Sequence, residues 1–588
     1  MTVTHHLRTL ETTGLVQLIQ EQPDLEYLFR HALVQDAAYE SLLLSDRRRL
    51  HQSVGETIAG AYPERVEELA PVLAHHFNLA GKEKLAQKYF TLAGDVARRM
   101  NGLAEAVAHY AQALAIAKRQ SDVSSEDLVY LFEQYGRSLE IASRYEEAEA
   151  NYLHMTEVAR QRKDRMMALA AVTARATVYI VPSALFDPPR GKKLLEEALS
   201  LAQELGDKTA ETRILWNLML QEFFTGQTEK ALPYGEAALA LARELNLREQ
   251  LAYVLNDIAG YVYMSLGMYE KGQAALTEAR ALWYDLNNKS MLTDNLCTAA
   301  FNYHYMLGEY AEAVALVREA YEISLSIGNV WGQSYSAALL GVFLNELGQV
   351  TESIVALQEG IRLGEQAGFV ASQVIAGSIL AMQYALLGQF EQALGAAGTA
   401  VAKAESQVAF WLPLALGTLA FTQIRLGDLA AAEATLTRLP EDITGNDMIM
   451  SYFAVIVAQC ELGLARGEND QVLQILNQHI PHFRRRQGFG PLPPLLYYQG
   501  LAHQAISDLD KARQCYLEAV TLAEQTHALH SLWLPLVALN HVEPDPALAQ
   551  RWREQAQATI MEIADQCPPD IRQSFLQLPH VQAVLDRA

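Results

Sequence analysis

Apolar and polar positions follow helical periods over most of this chain, and a longer period is laid over them. One short pattern recurs: an apolar residue, Gly, any residue, an often large apolar residue, two mostly polar residues, then a small one. It runs as Leu266-Gly267-Met268-Tyr269-Glu270-Lys271-Gly272 and as Leu307-Gly308-Glu309-Tyr310-Ala311-Glu312-Ala313. It returns at Leu347-Gly348 to Ser353, Leu387-Gly388 to Ala393 and Leu426-Gly427 to Ala432, with weaker copies at Gly226 to Ala231 and Gly467 to Val472. The glycines at 226, 267, 308, 348, 388, 427 and 467 stand 41, 41, 40, 40, 39 and 40 residues apart. Glycine suits the residue that closes a helix, where positive φ is cheap only without a Cβ.

A second series, Gly206, Asn246, Asn287, Gly328 and Gly368, is offset by half a period and spaced 40, 41, 41 and 40 residues. Gly and Asn are the residues that most readily form left-handed helix caps. Two caps per period predict two antiparallel helices per repeat, each roughly four to five turns long. The expected fold is all-α, a solenoid of stacked helical hairpins. Two breaks are expected, at Val181-Pro182 to Gly191, where Pro182, Pro188 and Pro189 oppose continuous helix, and at Arg484 to Pro494.

These residues resemble the tetratricopeptide repeat, whose usual unit is about 34 residues. Gly260 and Gly272 stand where helices touch, Tyr269 follows the turn and Ala279 lies in the second helix; Phe301, Tyr310, Ala313 and Ala320 repeat the arrangement. The match is clear from about Ala210 to Leu439 and weaker at Arg144 to Ala148 and Asp508 to Ala512. The resemblance implies a right-handed superhelix. The family's closing Pro is missing, so the sequence does not fix the superhelical pitch.

The first residues do not follow the period. His5 to Thr12 reads as a short helix, and Leu15 to Ile19 and Leu25 to Phe29 as a hairpin across Glu21 to Asp24. A helix followed by a hairpin is how a winged-helix domain ends. The stretch Phe29-Arg30-His31-Ala32-Leu33-Val34-Gln35-Asp36-Ala37-Ala38-Tyr39 is followed by Glu40 to Leu43, Arg47 to His51, Leu73 to Phe77 and Ala104 to Tyr110. With Ile571 to Leu576 near the end, it resembles the repeat region of multidomain signalling ATPases, including those attached to class III nucleotidyl cyclases. In such proteins a cyclase or other output domain and a nucleotide-switch ATPase come first. Neither is present here, so either Met1 is not the natural start or those domains sit in a separate polypeptide. The expected organisation is a partial winged helix over 1–45, a helical linker with the first hairpins over 46–120, the repeat solenoid over 121–483, and C-terminal hairpins with capping helices over 484–588.

Composition narrows the function. With 46 basic and 69 acidic residues the net charge is −23, which repels nucleic-acid backbones and anionic membranes. The four cysteines, Cys297, Cys460, Cys515 and Cys567, form no CxxC pair and read as reduced, mostly buried thiols of a cytoplasmic protein. The N-terminus has no apolar signal core, and the apolar stretch Ala371 to Gly388 is interrupted by Ser372, Gln373, Ser378 and Gln383. No GxxxxGK[ST], HExxH or GxSxG occurs, so no enzyme activity, cofactor or metal is expected. His75-His76 point about 100° apart on a helix, and His527 with His530 lacks a third ligand. Glu67-Glu68 and Glu146-Glu147 read as solvated faces, and Arg47 to Arg49 and Arg484 to Arg486 as partners of the chain's own carboxylates.

In tetratricopeptide arrays the first helix of each repeat faces the concave groove. Carried over by the turn glycine, the groove positions are Arg213, Trp216, Phe223, Asp257, Tyr261, Asn295, Asn302, Tyr305, Tyr335 and Asn345. Aromatic anchors beside Asn and Arg suit an extended peptide, whose backbone needs hydrogen-bonding partners; some of them, Trp216 and Phe223 above all, serve helix contacts in the alternative reading. The expected function is a non-catalytic scaffold or sensor that binds a protein or peptide and regulates an ATPase or cyclase module. Alternatives are the effector-binding region of a transcription regulator, taking a small molecule, or one part of a longer adenylate cyclase or ATPase.

Overall fold

The structure, a computed structural model, describes residues 3–585 apart from 21–25, 101, 121, 184, 440–448 and 486. The chain forms two compact units, Met1–Ser138 and Leu139–Ala588.

In the first unit, helix Val3–Thr12 leads into strands Val16–Gln20 and Glu26–Phe29. They pair antiparallel, Val16 opposite Phe29 and Leu18 opposite Tyr27, with an irregularity before Gln20. The hairpin stands where the alternation placed it; the expected turn at Glu21 to Asp24 lies outside the described residues. Helices Ala32–Glu40 and Leu44–Ala61 follow, then Ala70–Leu79, Glu83–Arg99 and Leu103–Ala117. Helix Ala32–Glu40 buries no side chain, whereas the later helices pack around Leu73, Phe77, Tyr89 and Tyr110. Gly94 lets Tyr110 lie flat on its neighbour, since a Cβ there would stand 2.7 Å from the ring.

The second unit is a superhelical solenoid of antiparallel helix pairs. Its central pairs are Lys208–Phe224 with Thr228–Glu244, Tyr269–Asp285 after a first helix spanning Arg248 to Tyr263, and Tyr310–Ser326 after one spanning Lys289 to Tyr305. Val330–Glu346 with Val350–Ala367 and Val370–Leu386 with Phe390–Gln407 continue the series. Both punctuation series are helix ends: Gly206, Gly226, Gly267, Gly308, Gly328, Gly348, Gly368, Gly388, Gly427 and Gly467 all have positive φ, as do Asn246 and Asn287. The small positions sit at helix contacts. A Cβ on Gly260 would lie 2.7 Å from Thr298, and one on Gly272 would lie 2.7 Å from Met264. Tyr310, Ala279, Ala313 and Ala320 are buried.

The breaks are shorter than expected. Helix Arg165–Ile180 ends before Pro182, but Pro188 and Pro189 open helix Pro188–Leu205, capped by the Asp187 carboxylate accepting from Arg190 N. Proline lacks only an N–H that the first turn does not use, so these two residues start a helix instead of interrupting one. Likewise helix Asn469–Arg485 runs into the expected loop, and Pro493 and Pro494 begin helix Leu492–Ala505.

Two first helices change their winding. Ile258–Tyr263 and Ala299–Tyr305 are π-helical, with Met264 N donating to Ala259 O. They lie in the two repeats whose caps are 41 residues apart in both series (226 to 267 to 308, and 246 to 287 to 328). The extra residue is absorbed as a wide turn in the first helix, as π-bulges absorb insertions.

The pitch is set by edge-to-edge contacts. Ser143 Oγ donates to Gly368 O, Thr351 N and Oγ1 to Gln566 O, Gln389 Nε2 to Ser574 Oγ, and Ser574 Oγ to Leu387 O. Gly490 N donates to Met306 O, and the Phe224 and Phe410 rings meet at 5.6 Å. The side-chain bonds join residues 185 to 225 positions apart, so one superhelical turn takes about five repeats. Turns within one hairpin touch turns between hairpins of the next wind. The ribbon is closed along a seam.

Candidate functional site

The inner wall of the second unit is built from the first helices of successive repeats, and a ladder of polar bonds ties each to the next. Trp216 Nε1 donates to Asp257 Oδ2 at 2.9 Å. Asn256 Nδ2 donates to Asp294 Oδ2 at 3.0 Å while its Oδ1 accepts from Asn295 Nδ2 at 2.9 Å. Cys297 Sγ lies 3.4 Å from Ser336 Oγ, and Ser334 Oγ donates to Ser372 Oγ at 2.8 Å. Further on, Arg425 Nε donates to Glu461 Oε2 at 3.1 Å and Tyr498 OH to Glu461 Oε1 at 2.6 Å. Buried polar groups must be paired, and here the pairing joins neighbouring repeats.

Aromatic side chains fill the space beside this ladder. Tyr261 packs 4.9 Å from Phe223 and 5.6 Å from Phe224, and Trp216 stacks on Tyr253 at 5.7 Å. Tyr335 lies 5.6 Å from Trp331 and 5.9 Å from Phe369. Tyr261, Tyr335 and Asp294 keep part of their surface although protein surrounds them closely enough that desolvation dominates their titration. All three are half-buried on the first helices. Burial holds the Asp294 carboxyl up at about 6 against the Asn256 amide, which favours the charged form. It also pushes both tyrosines above their ordinary range, and the Asp294 charge adds to this in each.

The ten groove positions divide. Arg213, Trp216, Asp257, Tyr261, Asn302 and Tyr335 are half-buried, whereas Phe223, Asn295, Tyr305 and Asn345 are buried. Asn295 is spent on structure: its amide donates to Asn256 and to Leu276 O, and its oxygen accepts from Arg280 Nε at 3.0 Å. Asn345 is different, because its buried Oδ1 has no partner among the described residues. Asn302 Nδ2 lies 3.1 Å from where a Cβ on Gly260 would stand, so the missing side chain makes room for it. Tyr261, Asn302 and Tyr305 all fall in the π-helical turns. Sequence reasoning missed Asn256, Asp294, Ser336, Arg425 and Glu461. Their signal is a polar residue in an otherwise apolar first helix, repeated 36 to 39 positions later.

The remaining candidate residues are engaged locally. Glu67 and Glu68 pair with Arg99 and Arg65, and Glu147 pairs with Arg144. Arg47 pairs with Glu40, Arg49 with Asp46, and Arg484 with Glu518. His76 Nδ1 lies 2.9 Å from His51 Nδ1, whose ring also meets Tyr39 OH at 3.0 Å. Burial lowers the pKa of both histidines. Among the described residues no group of His, Cys, Asp or Glu is placed to hold a metal ion. His530 is held down at about 4 by burial and by Arg425. Cys297, Cys460 and Cys567 are buried free thiols and Cys515 is half-buried; burial pushes Cys297 and Cys567 up to about 12. No described helix is long and apolar enough to cross a membrane.

No family model and no curated protein matches the chain. Solved structures similar to it include a Rap protein complexed with competence and sporulation factor, at 14% identity and TM-score 0.41, covering 68% of this chain and 99% of that one. The anaphase-promoting-complex assembly Cut9–Hcn1 gives 14% and 0.41, covering 89% and 96%. A signal-transduction ATPase with a tetratricopeptide sensor from Pyrococcus horikoshii gives 16% and 0.37, covering 74% of this chain and 58% of that one. These are likenesses of helical-repeat style alone. The tetratricopeptide-like character of this chain stands on its own caps, helix pairs and packing.

Proposed function

We propose that this chain is a non-catalytic binding module whose inner wall takes an extended peptide or protein segment, and that it serves as the sensor of an ATPase or nucleotidyl cyclase module. The observation that carries this reading is the row of half-buried aromatic and polar side chains on successive first helices, from Trp216 through Tyr261 to Tyr335. A ligand there touches several repeats at once, and each repeat rests on its neighbours and, along the seam, on the next wind. Occupying that wall therefore changes how the ribbon curves, and the seam makes that change collective. The helix–hairpin–helix segment at the chain's start, read as the end of a winged helix, is where a nucleotide-switch domain would receive the signal.

The test is a purified partner, identified by affinity capture and then rebound to the full chain. Alanine at Tyr261, Asn302 and Tyr335 together should weaken binding at least tenfold, as loss of central anchors does. A partner that binds the triple variant as tightly as the parent chain would place the binding surface elsewhere.

A further inference from the structure

Between the second helices of two successive repeats lies a cavity of about 220 Å³. Trp283 and Tyr284 of helix Tyr269–Asp285 line it, with Lys289 and Leu292 of helix Lys289–Thr298 and Glu319 and Ile323 of helix Tyr310–Ser326. Trp283 is fully buried, yet its indole N–H, the one polar group of that side chain, has no partner among the described residues. Buried indole donors normally find an acceptor, and Trp216 in the preceding repeat gives its own to Asp257. The Tyr253 ring stands edge-to-face against Trp283 at 4.8 Å and holds the indole in place. An acceptor from outside the chain reaches this N–H through the cavity that the indole lines.

The rim supplies charge. Lys289 and Glu319 are both exposed and line the same cavity, yet among the described residues neither forms an ion pair, with the other or elsewhere. Glu319 accepts only from the Tyr284 hydroxyl, at 3.5 Å. The Arg280 guanidinium, close enough to feel Glu319, donates to Asn295 instead. Elsewhere on neighbouring helices such groups are engaged across repeats: Arg243 with Glu278, Arg248 with Asp285 and Arg318 with Glu352. A cation, a carboxylate and a buried N–H thus surround one space whose apolar lining is Leu292 and Ile323. A few convergent polar groups over an apolar lining are the composition of a small-molecule site. Opposite charges that do not neutralise each other call for a ligand that carries both.

We infer that this cavity binds a free α-amino acid with an apolar side chain. The ligand's carboxylate accepts from Trp283 Nε1 and pairs with Lys289, its ammonium donates to Glu319, and its side chain lies on Leu292 and Ile323. The site is separate from the peptide-binding wall and stands independently of it. A bound amino acid touches both second helices and the first helix between them, so it fixes the angle between two repeats.

The experiment is calorimetric titration of the full chain with leucine, isoleucine, valine and methionine, and with glycine, glutamate and lysine as controls. At least one apolar amino acid should bind saturably, one to one, and the controls at least tenfold more weakly. For leucine, isocaproate lacks only the ammonium and isoamylamine lacks only the carboxylate; each should bind at least tenfold more weakly than the amino acid, the loss expected of one charged hydrogen bond. Lys289→Met, which keeps the stem and removes the charge, and Glu319→Gln should each weaken binding about tenfold, and both residues are exposed, so the fold survives the change. Trp283→Phe, which removes the N–H, should weaken it as well. Absence of binding by all four apolar amino acids would overturn the inference, as would analogues that bind as tightly as leucine or an affinity that Lys289→Met leaves unchanged.

Discussion

Gly308 and Gly427 close equivalent turns with the same left-handed backbone, at φ 77° and 85°, yet they stand in different surroundings. Around Gly427 no atom of the described residues, its chain neighbours aside, lies within 4 Å of where a Cβ would be. At Gly308 that Cβ would lie 2.2 Å from Thr526 Cγ2, and at Gly348 it would lie 3.0 Å from Leu529, both one superhelical wind further along the chain. One glycine serves conformation alone. The other also serves close approach across the seam. Repeat signatures record the first need and are silent about the second.

Asparagine separates the two needs, because it tolerates left-handed backbone while restoring a side chain. This chain already uses it at Asn246 and Asn287, with φ 53° and 51°. Gly427→Asn should therefore cost less than about 1 kcal/mol. Gly308→Asn should cost about 2–3 kcal/mol, the range for overpacking. Thr526 cannot swing away cheaply, since it is buried and its hydroxyl donates to Leu522 O at 2.9 Å. Urea unfolding measures the costs, and small-angle scattering should show Gly308→Asn opening along its axis. Equal costs for the two variants would show that the seam contributes nothing to stability.

The same contrast marks what could be read in advance. The period, the caps and the small contact positions were legible because each repeat packs on its neighbours, so the pattern is local and repeats. The extra residue of two repeats stood in the sequence as 41-residue spacings among 39- and 40-residue ones, but its winding as a π-helical turn was not read from them. The seam was not legible. Its bonds join hydroxyls and amides such as Ser574 and Thr351 to backbone carbonyls 187 and 215 positions away, and surface hydroxyls of that kind carry no distinguishing pattern. Asp294 was hidden for a similar reason: an acid in an amphipathic helix reads as solvated until the curvature of the ribbon turns it inward.

A pH scan sharpens the comparison between the seam and the wall. Glu346, half-buried beside the seam, is raised to about 7 by burial, against a bond from Ser531 that favours its charged form. Its charge is felt by Tyr305 and Tyr310. Asp294 in the wall is raised to about 6. Both folded-state values lie above the unfolded ones. Their contribution to stability is thus complete only below the ordinary carboxyl values, at about pH 3, and is lost as pH rises, through about 6 for Asp294 and about 7 for Glu346. Glu346→Gln should stabilise the chain at pH 8 by on the order of 2 kcal/mol and change little at pH 4. Asp294→Asn should do the same with its midpoint lower on the pH axis. Thermal denaturation from pH 4 to 8 reads both, and parallel curves for parent and variants would show that neither carboxyl is held in the interior as described.

The smallest expected effect lies on the outer face, where neither seam nor wall constrains a glycine. Gly398 sits exposed in helix Phe390–Gln407, and outside its own helix turn no atom of the described residues lies within 4 Å of a Cβ. Gly360, in the preceding second helix, would press a Cβ to 2.8 Å from the backbone nitrogen of Ala338. Gly398→Ala removes only backbone freedom from the unfolded chain and should gain about 0.5–1 kcal/mol. Gly360→Ala should lose stability, because a backbone atom cannot step aside as a side-chain end can. Opposite signs for one chemical change would show that the second helices are held by close approach at some glycines and merely tolerate others. A gain in both would mean that the helix pairs have slack to move apart, and the seam, which depends on their exact curvature, could not then be as closely fitted as Thr526 against Gly308 implies.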